Sequence, residues 1–173
     1  LHKQSFDYFI VAAYGKILPE SLLSIPKHGT LNVHPSLLPK FRGSSPIESV
    51  ILSPEKETGV TIMVLDTELD HGPILAQQIV PISPWPPKGS TLTEHLAHEG
   101  GKLLAETILS ESHTPKEQHH KEATFTHKIK KMDGEIDPIG DPETAYKKIR
   151  AFDQWPGAYF FVTKKTGEKV RVV

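Results

Sequence analysis

Asn32, His34 and Asp70 are the residues whose types and spacing could carry a reaction. Asn32 and His34 stand two positions apart in an apolar-alternating run that stops at Pro35, and on an extended strand side chains at that spacing leave from one face. An amide donor beside an imidazole, itself a donor when protonated, suits an oxygen on which negative charge develops. Asp70, in Leu69-Asp70-His71-Gly72-Pro73, stands at a turn between two strand-like runs and is the carboxylate placed to meet them. Near His34 it would favour the charged imidazole and help relay a proton. Spacing alone leaves two readings open, a reacting trio and a satisfied polar turn network.

The elements around these residues point to a crevice at the ends of strands. Pro35 and Pro39 bias His34 and Leu38 toward extended backbone and Gly43 can take positive φ, so a stiff loop follows the histidine. Phe6 to Ala13 has the pattern of a buried strand in a parallel sheet, and Tyr14 to Pro19 turns out of it into a short helix opened by Pro19. Ligands of open α/β sheets lie beyond the carboxyl ends of strands, so the Gly15–Leu18 and His34–Pro39 loops should border one site. Ser45-Pro46 opens a helix to about Ser53, with serine as its cap. Thr58–Leu65 and Gly72–Pro81 read as an antiparallel pair, which sets Asp70 on the hairpin rim and leaves Asp66 and Glu68 toward water.

After a proline-rich stretch, Thr91 and Glu94 form a capping box for a helix to about Leu109, where Gly100 and Gly101 allow close packing on the sheet. His95 and His98 with Glu94 and Glu99 lack a third well-placed metal ligand and read as a solvated face. Ser110 to Lys131, with His113, His119, His120 and His127, reads as an extended linker. Pro142 to Phe152 should be a helix, and Tyr159–Val162 and Lys169–Val173 a hairpin.

Composition narrows the classes. The 173 residues suffice for one compact domain, or one with an appendage, and contain neither a long apolar run nor a signal-peptide pattern. Absence of cysteine excludes disulfides, thiolate catalysis and cysteine-based zinc sites. A formal net charge of -1 argues against a surface coated for nucleic acid, but the halves differ. Residues 1–113 carry 8 Lys and Arg against 12 Asp and Glu, and residues 114–173 carry 12 against 9. On sequence alone the basic tail reads as solvated lysines on a linker and a surface helix more readily than as contacts to nucleic-acid phosphates.

The string NVHPSLLPKFRG, followed by SSPIESVI and ETGVTIMVLDTELDHGPIL and preceded by AAYGKILP, closely resembles the folate-dependent formyltransferases, above all the branch that formylates methionyl-tRNA. The likeness covers roughly residues 6 to 160. It implies an α/β fold: a partial Rossmann-like domain with a mostly parallel sheet (1–110), a linker (111–140) and the start of an OB-like β-barrel (141–173). By position it makes Asn32, His34 and Asp70 the catalytic trio. Ser36, Leu37, Leu38 and Pro39 would help bind tetrahydrofolate, and the backbone of Gly15, Lys16, Ile17 and Leu18 would face its pterin. Arg42 would contact substrate phosphate or cap its loop, and the Leu38–Pro39 bond would be cis. Such proteins carry further strands, helices and a tRNA-contacting loop before the position of residue 1 and most of a barrel after residue 173. The resemblance therefore implies a fragment or a truncated chain, with the first strand an exposed sheet edge.

The implied reaction moves a formyl group from 10-formyltetrahydrofolate to the α-amine of methionine on initiator tRNA. It needs no metal, membrane or DNA and belongs in bacterial cytoplasm or an organellar matrix. Three alternatives stay open: a sugar-nucleotide or glycinamide-ribotide acceptor, hydrolysis of the formylfolate, and a non-catalytic folate-binding remnant. The resemblance of Ala123 to Tyr159 to the tRNA-specific branch favours methionyl-tRNA as the acceptor over these.

Overall fold

Burial separates the central strands from the edges. In the computed structural model, which describes residues 5–110 and 114–173, β1 (Phe9–Ala12), β2 (Thr30–His34), β3 (Gly59–Val64) and β4 (Ile74–Ile79) form one sheet in that spatial order. β2 and β3 lie inside, and β3 is buried from Gly59 to Met63. β1 is an edge, with Ile10 partly in solvent. The short α1 (Glu20–Leu23) and α2 (Pro46–Leu52) fall in the connections, and α3 (Gly89–Leu109) crosses the sheet.

The α/β fold is as expected, but the sheet is mixed. β1 and β2 are parallel, whereas β2–β3 and β3–β4 are antiparallel. β3 starts where β2 ends, with His34 opposite Thr61.

α3 lies close on β2 and β3 because Gly100 has no side chain. A Cβ there would come within 2.8 Å of Val33 Cγ1 and 3.1 Å of Val60 Cγ1, while Gly101 faces open space and plays no such part. Leu92 and Leu96 are buried from the same helix, each worth about 1.5–3 kcal/mol of apolar burial. The core continues through Val50, Ile51 and Val60 to Ile129, Ala151 and Phe152. The last two close α4 (Pro142–Ala151), which is capped by Asp141 accepting from the Thr144 N–H at 2.8 Å.

Two expected caps are differently made. α3 starts at Gly89, so Thr91 lies inside the helix; its first turn is held from far downstream by Asp153, which accepts from the Ser90 N–H at 3.0 Å and from the Ser90 hydroxyl. Ser45 does stand at the N-cap of α2, but its side chain makes no cap bond. β5 (Phe160–Thr163) and β6 (Lys169–Val172) form a separate antiparallel hairpin that turns through Gly167 at φ 85°, as fits the start of a barrel.

Residues 111–113, including His113, lie outside the described residues. The rest of the expected linker is no free tether. Lys116 exchanges two 2.8 Å backbone bonds with Ile74, and Arg42 exchanges bonds of 2.8 and 2.7 Å with Thr124 and Thr126. The segment is a strap across the Asp70 and Arg42 loops.

Candidate active site

Strand alternation puts Asn32 and His34 on one face at the carboxyl end of β2, both buried. The hairpin between β3 and β4 brings Asp70 to them, its Oδ1 lying 3.7 Å from His34 Nδ1. All three line a cleft of about 510 Å³ that is also lined by Gly15, Lys16, Ile17 and Leu18, a size common for small-molecule sites. A second cavity of about 610 Å³, beside Asp141 and Lys148, has no imidazole or amide side chain in its wall.

The histidine is oriented by its backbone partner. His34 Nε2 lies 3.0 Å from the Phe41 carbonyl oxygen. A carbonyl only accepts, so the hydrogen is on Nε2 and Nδ1 is the nitrogen turned to Asp70. Burial pulls the His34 pKa below its ordinary 6.5; the Asp70 carboxylate and the Phe41 bond oppose this, and Arg42 adds to it. This direction favours the neutral imidazole, in which Nδ1 accepts, over the protonated form expected to donate to an oxyanion.

Asp70 is fixed from its other side. Gly43 N–H donates to Asp70 Oδ2 at 2.7 Å. Phe41 and Asp70 both adopt left-handed backbone, at φ 60° and 47°, a conformation that costs roughly 1–3 kcal/mol per non-glycine residue and gathers at functional sites. Asp66, expected in water, instead accepts from His71 Nδ1 at 2.7 Å, and the His71 ring stacks on His120 with centroids 4.1 Å apart.

The Ser36–Pro39 loop sits behind the cleft. Ser36 Oγ donates to the Lys40 carbonyl at 2.6 Å, Thr61 Oγ1 donates to the Ser36 carbonyl at 2.6 Å, and Leu38 N–H donates to Thr61 Oγ1 at 3.2 Å. Ser36 and Leu38 are buried, and Leu37 packs toward Gly59. The Leu38–Pro39 bond is cis. None of these four lines the cleft; their placement braces His34. Arg42 is also outside the wall. It is buried and donates through Nε and Nη2 to Gln118 Oε1 at 3.1 and 2.6 Å.

Gln118, Thr61 and Thr124 went unmarked in the sequence because their partners are remote. Gln118 binds groups 46, 48 and 76 positions away, and its polar, histidine-rich neighbourhood resembles solvated linker. Among the described residues no group of three or more His, Cys, Asp or Glu side chains is placed to hold a metal ion, and no helix is long and apolar enough to cross a membrane.

Comparison with known proteins gives the family. Residues 1–108 match the formyl transferase model and residues 128–173 the model for the formyl transferase C-terminal domain. The methionyl-tRNA formyltransferase of Roseiflexus castenholzii is 46% identical over 155 residues, covering 88% of this chain and 49% of that protein. That of Chloroflexus aurantiacus is 44% identical over 167 residues, covering 95% and 53%. The chain thus spans about half the length of the curated relatives it matches. HypX from Aquifex aeolicus, solved in complex with tetrahydrofolic acid, superposes with a TM-score of 0.72 at 23% identity over 94% of this chain and 28% of that one, a likeness of fold. The sequence match over 108 consecutive residues, which include Asn32, His34 and Asp70, establishes that this chain belongs to the formyl transferase family.

Proposed function

We propose that the protein transfers the formyl group of 10-formyltetrahydrofolate to the α-amine of methionine on initiator tRNA. The observation that carries the chemistry is the meeting of Asn32, His34 and Asp70 at one cleft; the acceptor rests on relatives named methionyl-tRNA formyltransferase. The folate would lie against the Gly15–Leu18 loop, whose backbone borders a cleft large enough for a bicyclic ring, and it supplies the formyl carbon. The basic excess of residues 114–173 suits tRNA phosphates.

Amine attack on a formyl carbon makes its oxygen negative and its nitrogen acidic. The Asn32 amide donates to that oxygen. Neutral His34, held through Nε2, accepts the amine proton at Nδ1 and becomes an imidazolium. Asp70 then faces a positive ring, and its attraction holds the proton until the departing nitrogen takes it.

The test is formyl transfer to methionyl-tRNA by the protein beside its His34→Ala and Asp70→Ala variants. Activity in the parent and its loss in the first variant would support the reading. An Asp70→Ala rate equal to the parent would remove Asp70 from the mechanism, and formate release without acceptor would identify a hydrolase instead.

A further inference from the structure

The Gln118 side chain uses its entire hydrogen-bonding capacity on the active-site loops. Nε2 donates to the Asp70 carbonyl at 3.0 Å and the Gly72 carbonyl at 2.7 Å, while Oε1 accepts both bonds from Arg42. Gln118 is 5% exposed and Arg42 is 3% exposed. Arg42 is bonded besides to His120 Nδ1 at 2.9 Å, and among the described residues no carboxylate pairs with it. The amide therefore ties together the two loops that fix the catalytic carboxylate: Asp70's own, and the one whose Gly43 N–H binds Asp70 Oδ2.

We infer that Gln118 is a positioning residue for Asp70, so that docking of the strap at residues 116–126 completes the active site. Asp70 keeps its left-handed backbone because its carbonyl is held by Gln118 and its carboxylate by Gly43. Gln118 stands on the segment joining the sheet to the hairpin of β5 and β6. A displacement of that strap would thus release the carboxylate from His34. The inference rests on the formyl-transfer reading for its kinetics, but not for its geometry.

Gln118→Glu separates the two halves of the amide. It leaves Arg42 a partner and removes the N–H donors to Asp70 and Gly72, whereas Gln118→Ala removes both halves. The expected result is a kcat about tenfold lower for each variant, with the folate KM within twofold. The His34 titration, followed by NMR without substrate, should move to lower pH as the Asp70 carboxylate withdraws, with Arg42 the other charge facing that ring. A kcat within twofold of the parent, or a fall in rate with an unmoved His34 titration, would overturn the inference. If the parent transfers no formyl group, the titration decides alone: a shift upholds the positioning role while the functional reading falls, and no shift ends both.

Discussion

The two walls of the cleft are built in opposite ways. On one side, the loop from His34 to Gly43 has its polar atoms bonded at Phe41, Lys40, Thr61 and Thr124 and holds Leu38 in the core. On the other, the Tyr14–Leu18 loop leaves Tyr14 and Ile17 55% and 82% exposed, and Gly15 has no neighbour within 4 Å of a built Cβ. On the formyl-transfer reading the difference assigns tasks. Bond-making groups need fixed positions to stabilise charge without reorganisation, whereas a wall that receives a flat ring gains contacts by adapting. Substitutions on the stiff wall should strike rate and stability; substitutions on the open wall should strike affinity.

Asn32→Ala should show the largest effect. Losing one oriented donor costs roughly 3–4 kcal/mol of transition-state stabilisation, about a hundredfold or more in kcat, with the folate KM little changed. A variant that raises KM and spares kcat would move Asn32 from the stiff wall's task to the open wall's.

Gly43→Ala comes next and reads the stiffness itself. Gly43 sits at φ 114°, and a Cβ there would meet Thr126 Oγ1 at 2.7 Å and its carbonyl at 2.9 Å. The strap must shift or the backbone must turn, for about 2–3 kcal/mol in a denaturant melt. A stability within 0.5 kcal/mol of the parent would show that the strap is loose. His34→Gln tests the burial of the imidazole. The folded pKa is lowered below 6.5, so the unfolded chain takes up the proton first as pH falls, and stability is lost from pH 6.5 downward. Removing the ring should flatten that loss, by at most about 1.4 kcal/mol per pH unit, in melts compared at pH 7.5 and 5.5.

What the sequence displayed was the stiff wall's local chemistry. The two-residue step from Asn32 to His34, the prolines and the Asp70 turn each act within a few positions, so periodicity and breaker residues expose them. Its turn position marked Asp70 as the carboxylate to meet the pair, and resemblance to the formyltransferases favoured a reacting trio over a polar turn network. The strap was illegible because Gln118 gains meaning only from carbonyls 46 and 48 positions away. The α3 cap failed for the same reason: Thr91 and Glu94 satisfied a local rule, while Asp153, 63 positions from Ser90, made the bond. The mixed sheet was misjudged on another ground. A buried apolar strand reads alike in parallel and antiparallel sheets, so the apolar runs alone do not give the direction of pairing.

The smallest stability effect belongs to the open wall. Gly15→Ala adds a methyl where nothing lies within 4 Å and where the backbone is not in the left-handed region, so the folded state should change by less than about 0.5 kcal/mol. The methyl nevertheless stands in the cleft wall beside Lys16 and Ile17, where it would hold a flat ring away from the backbone. Folate KM should rise several-fold with kcat within twofold. The opposite split, a lower kcat at constant KM, would mean that Gly15 acts on the reacting groups and that both walls share the chemistry.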